Sequence, residues 1–283
     1  MKIEIHDDRS CLLGEGPLWH PIRKRLFWFD ILNKTLLTAG QDWQFDRAVS
    51  AAGWVDDNRL LIASQTDLFL FDLRDGTSEH VLPLEADNEV TRSNDGRADP
   101  WGGFWIGTMG KNAEKNAGAI YRYYRGELRC LVSPVTIPNA ICFAPDGSVA
   151  YFADTAQGII WQQALQQSDG WPAGDAHIFI DCTKESVFPD GAITDHEGNL
   201  WNAQWGSSRI ACYNPKGEFQ KAIHFPVEQI SCPAFGGADL TTLFATSATE
   251  NLSENALMQQ VHAGKTFYVQ NAGQGRAEYQ VRL

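Results

Sequence analysis

The chain has 283 residues, 43% of them hydrophobic and 20% charged, with 35 acidic against 23 basic side chains and a formal net charge of −12. That balance suits a globular protein with a real core, and it argues against nucleic acid and anionic membrane surfaces as partners, because a net negative chain repels both. No run approaches the ~18 consecutive apolar residues of a membrane span, and the opening MKIEIHDD carries acids where a secretory leader needs an apolar stretch, so the expected location is cytoplasmic.

The chain then repeats one grammar: a polar, Gly- or Pro-rich start, an alternating strand, a turn, and an apolar strand holding an aromatic. The first unit runs from Gly14-Glu15-Gly16-Pro17 through the turn Arg23-Lys24-Arg25 to a strand over Leu26–Asp30. The second has Ala51-Ala52-Gly53, the turn Asp56-Asp57-Asn58 and strands over Arg59–Ser64 and Leu68–Asp72. The third opens on Ser93-Asn94-Asp95-Gly96, turns at Pro100-Trp101-Gly102-Gly103 and continues over Phe104–Thr108 and Ala119–Tyr123. The fourth has Pro138-Asn139-Ala140, the turn Asp146-Gly147 and strands over Val149–Asp154 and Ile159–Gln163. The fifth has Pro189-Asp190-Gly191, the turn Glu197-Gly198-Asn199 and strands over Leu200–Gln204 and Ile210–Asn214. The sixth has Ser231-Cys232-Pro233-Ala234, the turn Gly236-Gly237-Ala238-Asp239 and a strand over Leu243–Ser247. Helical periodicity is confined to Ser253–Val261. The terminal segments Met1–His6 and Glu278–Leu283 both read as strands that would pair and close a ring, hiding its edges.

One position in each second strand gives Trp28, Leu61, Trp105, Phe152, Trp201 and Phe244, spaced by 33, 44, 47, 49 and 43 residues. Apart from the short first gap, this is the period of four-stranded propeller blades, so the expected fold is all-β, a single six-bladed β-propeller over residues 1–283. A β-sandwich accommodates alternating strands but does not predict six repeats of one motif. Cys11, Cys130, Cys142, Cys182, Cys212 and Cys232 form no C-x-x-C pair and read as small buried hydrophobes in a reducing compartment.

In a propeller the first strand of each blade lines the central channel, and its starting residues converge at one mouth. Counting back from the anchors places Glu15, Asn94, Asn139 and Asp190 there, from four different blades, while the second and sixth blades offer small or apolar residues. Each Asp-Gly or Asn-x motif alone is a turn signal; the shared repeat position is what points to a site. Two carboxylates and two amides are hard oxygen donors that suit one divalent ion, Ca²⁺, Mg²⁺ or Mn²⁺, with Fe²⁺ or Zn²⁺ also accommodated. Asp146 belongs to a turn, and Asp95 should point away from Asn94.

At these motifs the chain resembles the SMP-30/gluconolactonase/regucalcin-like family, from Leu13-Gly14-Glu15-Gly16-Pro17-Leu18-Trp19 through Arg92-Ser93-Asn94-Asp95-Gly96, Gly107-Thr108-Met109 and Phe188-Pro189-Asp190-Gly191 to Cys232-Pro233-Ala234-Phe235-Gly236-Gly237. The resemblance implies a six-bladed propeller that hydrolyses sugar-acid lactones (aldonolactones of pentoses or hexoses) with a bound divalent cation. It implies Glu15, Asn139 and Asp190 as metal ligands, and Arg92 and Asn94 as substrate contacts. Two positions depart from the family pattern. Ala140 stands where Gly is usual, and Asn112 where some members carry a substrate-contacting Glu, so Asn112 becomes the expected substrate contact and the lactone's identity does not transfer.

Lactone hydrolysis needs an activated water and an electrophile for the developing oxyanion, which an open-sided metal supplies; Asp190 is the expected proton acceptor. Residues 110–118 read either as a lid or as a plain surface loop. His20 reads as a satisfied core histidine, and Asp154 and Trp205 as groups approaching the mouth. No G-x-S-x-G and no H-x-x-x-H is present. The alternatives are a non-catalytic calcium-binding regulator, a metal-dependent organophosphate or aryl-ester hydrolase, and an interaction propeller with a structural cation. The assembly state expected is monomer or small homo-oligomer.

Overall fold

In a computed structural model that describes residues 1–283, twenty-four strands form six four-stranded antiparallel sheets arranged as a ring. Blade 1 comprises β2 (Gly14–His20), β3 (Arg25–Asp30), β4 (Thr35–Thr38) and β5 (Gln41–Gln44). Blade 2 comprises β6 (Val49–Trp54) to β9 (Ser78–Pro83), and blade 3 comprises β10 (Thr91–Ala98), β11 (Phe104–Gly110), β12 (Gly118–Tyr124) and β13 (Glu127–Val135). Blade 4 runs from β14 (Pro138–Phe143) and β15 (Val149–Asp154) to β17 (His177–Asp181), and blade 5 from β18 (Phe188–Thr194) and β19 (Leu200–Trp205) to β21 (Phe219–His224). The sheet order in each is the chain order, so the innermost strand of each blade is its first. No helix is long and apolar enough to cross a membrane.

Burial explains why these segments are strands. In β3 and β11 nearly every side chain is buried, because a middle strand meets a neighbouring blade on both faces. The outermost strands, β9 and β21 among them, are mostly exposed and accordingly polar. The apolar interior falls into six clusters, one at each blade-to-blade interface; Trp105, for example, packs with Phe143 and Phe152 of blade 4, and Trp201 with Phe235 of blade 6. No blade buries its apolar faces alone, so the stability of each depends on its neighbours and on ring closure. Trp28, Trp105 and Trp201, three of the anchors that set the repeat, are among the largest fully buried side chains. Truncating any one would cost about 3–5 kcal/mol.

Ring closure differs from the expected pairing of the two termini. Blade 6 is built from β22 (Ile230–Gly236), β23 (Thr242–Ser247), β24 (Thr266–Val269) and, from the other end of the chain, β1 (Ile3–Asp7). The register is Ile3 with Val269, Glu4 with Tyr268 and Ile5 with Phe267. Glu278–Leu283 forms no strand. With the last place in blade 6 filled by β1, residues 270–283 cross the mouth of the channel that lies at the first-to-second-strand turns. Gly275 N bonds Leu240 O (2.9 Å), His196 N bonds Gln274 O (2.8 Å), Val281 N bonds Trp54 O (2.9 Å) and Arg282 N bonds Gly102 O (2.8 Å). Under this strap the Glu278 carboxylate pairs with Arg97, both side chains less than a tenth exposed. The short helix α1 (Glu254–Gln259) is capped by Ser253, whose side chain accepts from Ala256 N.

Candidate active site

The other mouth is where the first strands begin, and all six carry a β-bulge within their first few residues, that of blade 2 between Val49 and Ala51. The register shifts between Glu15 and Leu18, Ser93 and Gly96, Asn139 and Cys142, Pro189 and Ala192, and Ile230 and Pro233. A bulge leaves an extra residue unpaired and re-aims its side chain, which turns these residues toward the axis. The backbone bears the signature of this: Gly16 has φ +52° and Ala140 has φ +55°. At Gly16 a Cβ would lie 2.2 Å from Ser50 O. At Ala140 the chain carries the methyl in the left-handed region, a conformation that disfavours a non-Gly residue by about 1–2 kcal/mol.

Glu15, Arg92, Asn94, Asn112, Asn139 and Asp190 all line one cavity of about 440 Å³ at this mouth. Trp205 lines it too, as expected. Asp154 does not. Its carboxylate accepts from Thr136 N (3.0 Å), Ile137 N (3.0 Å) and Ala156 N (3.2 Å), so it fastens the turn after β15 to the start of β14. His20 is fully buried between blades, with Nε2 3.0 Å from Asp56 O and Nδ1 accepting from Arg23 N (3.3 Å), a satisfied core histidine.

The hydrogen-bond network orients each amide. Asn94 Nδ2 donates to Pro138 O (2.9 Å) and toward Asn139 Oδ1 (3.2 Å), while Asn94 Oδ1 accepts from Arg92 Nη1 (2.8 Å). A carbonyl only accepts and a guanidinium only donates, so this orientation is the one that satisfies both neighbours. Asn139 Nδ2 donates to Thr155 Oγ1 (2.8 Å), and Thr155 spends its one hydroxyl proton on Pro189 O (2.6 Å). Asn139 Oδ1 is therefore held on the side of the amide away from Thr155. Arg92 gives Nη1 also to Ser93 O (2.9 Å), while its buried Nε has no acceptor in the protein.

Burial pushes the Glu15 carboxyl up from the usual range, with the charge of Asp95 adding to the shift. Asp190 is pushed well above it by burial and then by Glu15 and Asp95. Neither forms an ion pair; Glu15 Oε2 accepts only from Gly16 N, at 3.0 Å. Asp95 stands outside the cavity lining and turns from Asn94 to accept from Ile141 N (2.7 Å). Burial desolvates Arg92, opposed by the fields of Glu250, Glu15 and Asp190, in that order. Two buried, mutually repelling carboxylates beside a directed amide oxygen make a donor set that fits a divalent cation with a preference for oxygen. No cluster of three or more His, Cys, Asp or Glu side chains suited to a metal occurs, and all six cysteines are free thiols.

The loop between β11 and β12 lines the cavity through Lys111, Asn112 and Ala113. It is internally tied: the Glu114 carboxylate accepts from Asn112 N (3.0 Å) and Asn112 Nδ2 (2.9 Å), and Asn116 N bonds Thr136 Oγ1 (3.1 Å). Thr155, Glu250 and Asn251 are polar lining residues that the starts of the first strands do not reveal, and Lys111 joins them from the 110–118 loop. Each follows the end of a second strand, which antiparallel pairing returns to the mouth where the first began, as Pro138 opposite Asp154 and Ile230 opposite Ser247 show. The repeat frame therefore contained a signal for them.

Residues 13–249 match the family described as SMP-30/Gluconolactonase/LRE-like region. Over 282 residues the chain is 34% identical to the L-arabinolactonase of Azospirillum brasilense, covering 95% of this chain and 92% of that protein. It is 30% identical over 269 residues to the 6-deoxy-6-sulfogluconolactonase of Pseudomonas putida, covering 92% and 91%. The crystal structure of a calcium-binding protein, regucalcin, from Agrobacterium tumefaciens superimposes with a TM-score of 0.96 at 38% identity, over 99% of this chain and 97% of that one. By fold, by motif and by similarity along nearly its whole length, the chain belongs to the SMP-30/gluconolactonase family.

Proposed function

We propose that this protein is a metal-dependent lactonase, a carboxylic ester hydrolase that opens a sugar-acid lactone to the free acid. The observation that carries this reading is the convergence of Glu15, Asn139, Asp190 and the buried Arg92 on one cavity of about 440 Å³. The relatives named as arabinolactonase and sulfogluconolactonase support the reaction class. A cavity of that size accommodates a pentono- or hexonolactone.

Glu15, Asn139 and Asp190 would hold one divalent cation, Ca²⁺, Zn²⁺, Mn²⁺, Mg²⁺ or Fe²⁺. When bound, such an ion supplies Lewis-acid polarisation of a carbonyl and acidifies water. Arg92 lines the cavity and offers its guanidinium to a substrate oxygen, and Asn94, clamped between Arg92 and Asn139, keeps the guanidinium in place. Asn112 presents a polar side chain from the loop above the ring. Asp190 accepts the proton of the attacking water. Its basicity depends on how far a bound cation would lower a carboxyl that burial, Glu15 and Asp95 together raise.

The test is hydrolysis of a panel of pentono- and hexonolactones, acidic ones included, with and without chelator. Saturable hydrolysis that chelation abolishes and a divalent ion restores is the expected result; a chelator-insensitive rate sinks the metal dependence. A second reading, a calcium-binding protein without catalysis, is favoured by the regucalcin neighbour. It predicts calcium binding with no turnover of any lactone.

A further inference from the structure

Glu250 has no task in the scheme above, yet it lines the same cavity. Its backbone is fixed: Glu250 N donates to Leu12 O (2.9 Å) and Gln229 Nε2 donates to Glu250 O (3.0 Å). The following Asn251, also in the lining, turns the chain with φ +59°. The Glu250 carboxylate takes no hydrogen bond and forms no ion pair within the protein, whereas most carboxylates near a cation here are engaged, as Asp67 is by Arg47 and Asp99 by Arg122. Across the cavity Arg92 is buried with its Nε unpartnered, and among the carboxylates Glu250 acts on it most strongly. Glu250 also acts on Glu15 and Asp190. The other rim cation, Lys111, is occupied with Glu89 O at 2.6 Å.

A partly exposed carboxylate held on the rim by its backbone, with no partner of its own, accepts hydrogen bonds from hydroxyl groups and repels anions. We propose that Glu250 sets the charge class of the substrate: it accepts hydrogen bonds from the hydroxyls of a neutral sugar lactone and disfavours lactones bearing a second anionic group, such as a carboxylate, sulfonate or phosphate ester. This rests on the lactonase reading. It concerns the part of the substrate away from the scissile carbonyl, where like-charge juxtaposition acts on selection.

The experiment compares kcat/KM for neutral aldonolactones and for aldaric acid monolactones, which carry a free carboxylate, in the wild-type protein and in Glu250→Gln and Glu250→Lys, all loaded with the same divalent ion. The wild type is expected to prefer the neutral class. Glu250→Gln narrows the preference about tenfold and Glu250→Lys narrows it further or reverses it, chiefly through KM, and the change shrinks at high salt. A wild-type preference for the acidic class, or a preference unchanged within twofold in both variants, overturns the inference while leaving the lactonase reading intact. Absence of any lactone hydrolysis by the wild type overturns both.

Discussion

Asn139 hands an amide proton to Thr155 at 2.8 Å, and Thr155 hands its own to Pro189 O at 2.6 Å, so a residue outside the expected ligand set decides which atom of Asn139 can serve as a ligand. Outer-shell partners of this kind typically carry 10–100-fold in metal affinity. Thr155→Val, which keeps the shape and removes the acceptor, is expected to weaken divalent-ion binding by at least tenfold in calorimetry, and Thr155→Ser to restore most of it. Equal affinities in the three proteins would show that the relay does not orient Asn139.

Glu15 and Asp190 are buried, mutually repelling and without ion-pair partners, so without a cation they oppose folding at neutral pH. A carboxyl whose folded pKa is raised is most favourable to the fold below its ordinary value, and that advantage is lost as pH rises. Glu15→Gln should therefore raise Tm of the chelated protein at pH 7.5, abolish the further rise on adding a divalent ion, and cut activity at least a hundredfold. A variant that is destabilised when chelated and still stabilised by the ion would remove Glu15 from the metal site.

Arg97 is buried beneath the C-terminal strap, with Nε 3.2 Å from Ile141 O and Nη2 3.2 Å from Ala192 O, and with Glu278 as its carboxylate partner. Removing one member of a buried pair strands the other, at about 3–5 kcal/mol. Glu278→Ala is expected to lower stability by about that amount in urea unfolding, and Arg97→Met with Glu278→Leu by clearly less. Should the double variant lose as much as the single one, the strap acts through its backbone bonds and apolar packing instead.

His20 is held neutral by burial, its pKa lowered below the ordinary value with that desolvation as the main cause. For a depressed histidine the unfolded chain binds the proton first, so stability is full above about pH 6.5 and declines as pH falls through that value. Thermal melts at pH 7.5 and 5.5 should show a drop in the wild type that is smaller in His20→Gln. The same drop in both proteins would assign the pH dependence to another group, such as the partly buried His6, which is shifted the same way.

The strands β7 (Arg59–Ser64) and β15 were legible to the residue, and β3 to within one, because alternation and turn chemistry are properties of a few adjacent residues. Glu15, Asn94, Asn139 and Asp190 were legible as a group because a repeat puts equivalent residues at equivalent places. Glu250 and Thr155 do not share that position: they follow second strands, whose ends return to the same mouth. Asp154 approaches the mouth without lining it: it stands one residue before Thr155, and its carboxylate holds the backbone of Thr136 and Ile137, of which Ile137 lines the cavity.

The blade count and the four residues gathered at one mouth were legible in the sequence, since both follow from local pattern repeated at a fixed period. Tertiary structure decided what closes the ring, what covers the opposite mouth and which atoms face the cavity. β1 takes the last place in blade 6, and Glu278 pairs with Arg97 across 181 residues of chain. The orientation of Asn139 depends on Thr155 and on a carbonyl of the next blade. Such choices belong to residues far apart in sequence that meet only when the ring has closed, and no local pattern encodes which of several polar partners will be within reach.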